Sequence, residues 1–155
     1  MPRKSRAETP DALALLKADH ASVKKSFKDF EKMDHEDTDA IKEFVQAVCN
    51  ELKVHTTIEE EIFYPAVRRK IDDEDLMNEA LVEHASAKDL IRQLEKMEAE
   101  DPLFVATFKV LAEYVTHHIK EEEGEIFPGT KRLKLDLEAL ARQMMERREE
   151  LVVAT

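Results

Sequence analysis

The sequence predicts an all-α fold: an antiparallel up-down four-helix bundle with an additional C-terminal helix. Three observations carry that prediction. Two glycines, five prolines and no tryptophan in 155 residues leave a chain built from helix formers, with 38% charged residues. Apolar residues recur three and four positions apart in five successive stretches, the stripe of an amphipathic helix. Between the stretches stand Pro, Asp and short polar runs, which start and stop helices. The length suffices for one domain with one substantial core.

Residues 1–8 read as a disordered, charged tail without the apolar stretch of a signal peptide. Thr9-Pro10 starts the first helix, with Thr as N-cap and Pro at the first helical position. Its stripe is Leu13, Leu16, Val23, Phe27 and Phe30, with His20 inside it, and Asp34 to Asp39 connects onward. The second helix runs from about Asp39 to about Arg69 along Ile41, Phe44, Val48, Leu52, His55, Glu59 and Ile62, and Pro65 kinks or weakens its last turn. Asp72 to Asp75 open the third helix, as acidic residues suit a helix N-terminus. Its stripe is Met77, Leu81, His84, Ala87, Ile91 and Leu94. Asp101-Pro102 starts the fourth, whose stripe is Phe104, Phe108, Leu111, Val115, His118 and Glu122, and Pro128-Gly129 breaks it. The fifth runs from Leu135-Asp136 to about Val152 along Leu137, Leu140, Ala141, Met144, Met145, the stem of Arg148, and Leu151. Residues 9–130 thus form the bundle. Residues 131–155 form a helix that packs on it or at a homodimer interface.

Charge and composition exclude several function classes. The net charge is −11, and the basic residues are scattered, which argues against a nucleic-acid or anionic-membrane partner. No apolar run approaches the ~18 residues of a membrane span. The single cysteine, Cys49, has no partner for an internal disulfide and lies among Val45, Val48 and Leu52 at helical spacing, which reads as a small buried residue. Together these features place the chain in the cytoplasm.

One motif occurs twice. His55-Thr-Thr-Ile-Glu59-Glu60-Glu61-Ile-Phe-Tyr-Pro65 is echoed by His118-Ile-Lys-Glu121-Glu122-Glu123-Gly-Glu-Ile-Phe-Pro128. In each copy a His precedes a Glu by four residues, so imidazole and carboxylate share one helix face. The four bundle helices each place one His in the apolar seam: His20, His55, His84 and His118. A lone seam His is more often a hydrogen-bonded core residue. Four of them beside two buried carboxylates, Glu59 and Glu122, call for a cation, because an uncompensated buried carboxylate costs several kcal/mol. Zinc prefers a smaller, usually thiolate-containing shell, and calcium and magnesium prefer oxygen alone. Imidazole with carboxylate in a bundle core suits iron or manganese, as a pair. The Glu-x-x-His pattern of ferritin-type sites is absent, since the residues three before each histidine are Lys17, Lys32, Leu52, Leu81, Tyr114 and Val115. No His-Glu-x-x-His zinc-protease motif is present either.

Asp-His20, His55-x-x-x-Glu59-Glu with Phe-Tyr-Pro65, Glu-His84, and His118-x-x-x-Glu122-Glu with Phe-Pro128 resemble the hemerythrin-like (HHE cation-binding) domain over about residues 10 to 130. The resemblance implies a four-helix bundle holding a non-haem di-iron centre, two irons per chain, with manganese as the alternative. It implies that Glu59 and Glu122 bridge the metals and that His20, His55, His84 and His118 are terminal ligands. The oxygen-carrying hemerythrins use five histidines, two of them four residues apart on the third helix. Here His84 stands alone, with Ala80 and Lys88 one turn to either side. The carriers also space His and carboxylate by five on the fourth helix, which leaves Glu123 in place of Glu122, or His117 in place of His118, as alternatives; the Pro-anchored repeat favours His118 with Glu122.

Two six-coordinate metals have about twelve positions, and two bridging carboxylates, four histidines and one bridging oxide or hydroxide leave about two open. Glu60, Glu83 and Glu123 are candidates for those positions. An open site suits exogenous oxygen, peroxide or nitric oxide, in a redox, sensing or oxidative-stress detoxification role. If the chain is an enzyme, peroxide consumption is the expected reaction. An iron reservoir or sensor without turnover, and a metal-free helical interaction protein, are the alternatives. His35 and His117 are expected to be solvated, and Tyr114 to be core or a partner of His118.

Overall fold

A computed structural model describes residues 10–153. Its elements are α1 (Ala12–Lys32), α2 (Thr38–Ile58), a π turn (Glu59–Phe63), α3 (Tyr64–Arg68), α4 (Glu74–Lys96), α5 (Phe104–Glu121), a second π turn (Glu122–Ile126), α6 (Phe127–Lys131) and α7 (Leu137–Val153). Each π turn joins its flanking α segments into one continuous helix, so the described residues form an all-α bundle of four long helices plus α7. In the bundle α1 packs beside α2 and α5, and α4 beside α2 and α5. α7 lies across α1, α2 and the first π turn.

Aspartates start the helices. The side chains of Asp11, Asp37, Asp73 and Asp136 accept from the backbone N–H groups of Ala14, Ala40, Leu76 and Ala139, at 2.8, 3.2, 3.1 and 3.0 Å. Each satisfies a free N–H of a first turn and complements the helix dipole. The first helix therefore begins after Asp11 rather than at Pro10; the tail and the expected cap Thr9 lie outside the described residues. Pro102 precedes α5 in a turn held by Asp101, whose side chain accepts from Leu103 N at 2.8 Å, and α5 begins two residues later than expected.

Of the two late prolines, only the one at Pro128-Gly129 is expected to break its helix, and it does not: Pro65 and Pro128 are each the second residue of an α segment that follows a π turn, and the fourth helix passes Pro128 and Gly129 to reach Lys131. Tyr64 N donates to Glu59 O and Phe127 N to Glu122 O, five residues back in each case. The wider turn makes room where a proline ring would crowd the preceding carbonyl. It also adds a residue to the turn, so the inward face shifts: Phe63 and Tyr64 are buried, whereas Ile62 is only partly so.

The core has two apolar bodies. One contains Phe27, Phe30, Val48, Leu52, Ile91, Leu94, Phe108 and Leu111. The other contains Leu13, Leu16, Ile58, Phe63, Val67, Met77, Ile126, Phe127 and Met144. On every bundle helix the histidine falls between residues of the two bodies, so the antiparallel arrangement gathers the four into one polar layer. Most predicted stripe residues are buried, with exceptions: Leu81 is 38% exposed because Ala80 takes the inward position, Phe44 is partly buried, and Met145 of α7 is exposed while Ala141 and Met144 face inward. Among the described residues no helix is long and apolar enough to cross a membrane.

Candidate metal centre

His20 comes from α1, His55 from the last turn of α2, His84 from α4 and His118 from the last turn of α5. Glu59 and Glu122 are the first residues of the two π turns, and both are 0% exposed. The structure brings all six together. His20, His55, Glu59 and Glu122 form one group able to surround a cation, and Glu59, His84, His118 and Glu122 form a second. The carboxylates belong to both. Glu59 Oε1 lies 2.9 Å from His55 Nε2 and 3.3 Å from His84 Nε2. Glu122 lies 3.1 Å from His20 Nε2 through Oε1 and 3.1 Å from His118 Nε2 through Oε2. Each carboxylate thus spans the two histidine pairs.

Several of these atoms are close without being hydrogen-bonded. His20 Nε2, both oxygens of Glu59 and Oε1 of Glu122 are fully buried and make no hydrogen bond among the described residues. Lone pairs that converge in a dry interior with no donor between them are costly, and a bound cation is what relieves them. A mixed imidazole and carboxylate donor set of this kind fits a first-row transition metal.

The outward nitrogens are all held by carboxylates. His20 Nδ1 pairs with Glu123 at 2.7 Å, His55 Nδ1 with Asp19 at 2.8 Å, His84 Nδ1 with Glu60 at 3.1 Å and His118 Nδ1 with Glu83 at 2.8 Å. This orients each ring with Nε2 facing inward and raises its basicity, the arrangement that commonly backs metal-binding histidines. Glu60, Glu83 and Glu123 are therefore engaged with imidazoles rather than standing at open positions in the centre. Two of the carboxylates carry a cation behind them: Lys88 Nζ lies 2.7 Å from Glu60 Oε1, and Arg148 Nη2 donates to Asp19.

The electrostatics follow from this crowding. Burial pushes the Glu122 carboxyl up, but Glu59, His118 and His20 outweigh it and hold Glu122 well below the usual carboxylate range. Burial disfavours charged His118, yet hydrogen bonds to Glu122 and Glu83 lift it to about 10. His55 rises well above its ordinary value against its burial, through Glu59 and Asp19, and His84 rises through Glu59 and Glu60. Burial raises Asp19, and its bonds to His55 and Arg148 bring it below the ordinary value. The carboxylates draw positive charge onto whatever shares the layer with them.

Tyr64 was not foreseen. Its hydroxyl donates to Glu122 Oε2 and lies 3.3 Å from His84 Nε2 and 3.2 Å from His118 Nε2. The signal was present in the repeat, where Phe-Tyr-Pro65 stands against Ile-Phe-Pro128, but uniform α-helical spacing turned Tyr64 away from the seam. Asp19 stood in the motif as the residue before His20, without a role. Other expectations are corrected. Tyr114 is 53% exposed rather than core. His35 is partly buried, stacks on Phe30 at 4.7 Å and hydrogen-bonds its carbonyl at 2.9 Å. His117 is exposed, as expected, and lies 3.1 Å from Glu121. A cavity of about 30 Å³ adjoins the centre, walled by Leu52, Ala87, Ile91, Val115 and Ile119 beside His55, His84 and His118. That exceeds the roughly 10–15 Å³ that one water needs by the same measure.

The model of the hemerythrin HHE cation binding domain matches residues 11–129. A solved hemerythrin HHE cation binding domain-containing protein from Mycobacterium kansasii superposes with a TM-score of 0.78 at 23% identity, over 94% of this chain and 89% of that one. A DNA nickase from Nostoc sp. is 27% identical over 113 residues, 73% of this chain. The chain spans 31% of the length of that relative.

Proposed function

Because this chain belongs to the hemerythrin HHE cation-binding domain family, we propose that its polar layer holds two irons, and that the loaded centre binds or turns over oxygen, peroxide or nitric oxide. The observation that carries this reading is the placement of Glu59 and Glu122: both fully buried, each between two histidine pairs, with three of their four oxygens making no hydrogen bond among the described residues. His20 and His55 would hold one metal, and His84 and His118 the other, with the two carboxylates shared. Tyr64 adds an oxygen donor at the His84 and His118 end, where the family's oxygen carriers are expected to have an extra histidine.

Bound iron would supply one-electron redox chemistry and open positions for a small ligand. The chain does the rest. Glu123, Asp19, Glu60 and Glu83 orient the imidazoles. The apolar bodies on either side exclude water, and the small cavity beside the centre limits what enters to molecules of a few atoms. Peroxide consumption is the first activity to test. A net charge of −11 and a span of under a third of the nickase relative argue against DNA nicking by this chain.

The deciding measurement is metal content together with the visible spectrum of freshly purified, oxidised protein. About two irons per chain with near-ultraviolet oxo-bridge absorption supports the reading. No bound metal after anaerobic ferrous loading overturns it and leaves a helical interaction module. Steady-state peroxide consumption by loaded protein, lost in His55→Ala, supports turnover; consumption no faster than free iron leaves a reservoir or sensor.

A further inference from the structure

The four carboxylates behind the histidines are not backed alike. Asp19 is the one tied to α7, which lies beyond the matched domain at 11–129. Arg148 Nη2 donates to Asp19 Oδ2, and that same oxygen accepts from His55 Nδ1. One carboxylate oxygen is therefore divided between a guanidinium and the imidazole aimed at Glu59.

Arg148 is an expensive choice for this place. Its Nε is buried and makes no hydrogen bond among the described residues. An apolar side chain of similar length would cover the same surface without stranding a polar group. Nor does helix docking require it. Ala141 and Met144 bury α7 against the bundle, and the preceding residue, Arg147, bonds Glu61 of the first π turn, 2.7 Å from Nε to Oε2 and 3.2 Å from Nη2 to Oε1. What Arg148 adds is a positive charge on Asp19.

We propose that Arg148 is a positioning residue for the metal centre: acting through Asp19, it sets how strongly His55 donates to a metal held at the His20 and His55 end. The inference rests on the di-iron reading above. A carboxylate that accepts an imidazole N–H makes the ring a stronger electron donor. A guanidinium on the same oxygen draws away part of that effect. Without Arg148, Asp19 pulls harder on the His55 proton, His55 donates more strongly, and the ferric state gains over the ferrous.

The test is a redox titration of iron-loaded protein followed by visible absorption, with metal content measured in parallel. Arg148→Met keeps the packing of the stem and removes the charge; it is expected to shift the ferric-to-ferrous affinity ratio about tenfold, a fall of ~59 mV for a one-electron couple. Arg148→Lys, which keeps the charge, is expected to restore most of the wild-type value. Arg147→Gln removes the neighbouring ion pair with Glu61 while the buried Ala141 and Met144 keep α7 and Arg148 in place, and it is expected to leave the potential unchanged. Equal shifts in Arg148→Met and Arg147→Gln, or none in either, overturn the inference while leaving the di-iron reading intact. A wild-type protein that takes up no iron overturns both.

Discussion

Tyr64 and Phe127 occupy equivalent places in the two copies of the repeated motif, each following a π turn and preceding a proline, and only one carries a hydroxyl. Phe127 stacks on His20 with ring centroids 5.8 Å apart, and Tyr64 lies against His84 at 5.2 Å. The apolar halves of the two rings do the same packing. The Tyr64 hydroxyl alone reaches the polar layer, where it meets His84, His118 and Glu122. The two ends of the centre are therefore chemically unequal. Burial first, and then the charges of Glu59 and Glu122, push the Tyr64 phenol well above its ordinary value, so it keeps its proton when no metal is bound. A cation coordinated by the phenol oxygen would reverse that preference. Iron-loaded protein is expected to show a phenolate-to-iron band in the visible that Tyr64→Phe abolishes while iron content stays near two per chain. A band unchanged in Tyr64→Phe would place the phenol outside the metal's shell.

Glu59 and Glu122 each face both histidine pairs, so the two metals are expected to be lost together. Glu59→Leu should remove both irons, whereas His20→Ala should weaken one end first. Metal-free protein is expected to lose stability too. There Glu59 Oε1 lies 2.9 Å from His55 Nε2 and 3.3 Å from His84 Nε2 and, against burial, raises both imidazoles, and removing one partner of a buried ion pair costs about 3–5 kcal/mol. Glu59→Leu should therefore melt lower than wild type without metal, and the gap should widen when wild type is loaded. Calorimetric melts of the four samples check this, and a variant that melts higher than wild type without metal would show that the histidines leave the carboxylate uncompensated there.

Cys49 lies against the bundle core and is 1% exposed. Burial first, aided by Glu95, pushes its thiol up to about 12, so almost no thiolate exists at neutral pH. A disulfide reagent should label it at the rate of opening or unfolding and not at the rate of a free thiol. Fast labelling of native protein would show that this part of the core opens readily.

The fold and the six central residues were legible because both depend on simple periodicity. A histidine in each of four apolar stripes must meet the other three once the helices pack antiparallel. What the spacing concealed lies after the π turns. Counting in threes and fours carries the face from Glu59 to Ile62, but one extra residue in the turn brings Phe63 and Tyr64 inward instead. Leu81 misled for a related reason: hydrophobicity alone prefers Leu to Ala, whereas helix phase places Ala80 inward and Leu81 toward solvent. Arg148 and Asp19 are 129 residues apart, and no local pattern joins them.

Proton release on metal uptake follows from the same histidines. In metal-free protein, against burial, hydrogen bonds to Glu122 and Glu83 raise His118 to about 10, and Glu59 and Asp19 raise His55 well above its ordinary value, so at pH 7 these two imidazoles hold protons that a metal must displace. The sign is then fixed. A raised histidine stabilises the metal-free fold fully below its unfolded value near 6.5, and for His118 that contribution disappears as pH climbs toward about 10. Metal affinity gains what the proton loses over the same window. Metal-free protein should thus become less stable between pH 6.5 and about 10 on this account, while ferrous iron binds more tightly across it. Anaerobic titration calorimetry in buffers of different ionisation enthalpy reads the number of protons directly, and more than one per chain is expected at pH 7. Binding enthalpies that do not depend on the buffer would mean that the histidines are already neutral when the metal arrives.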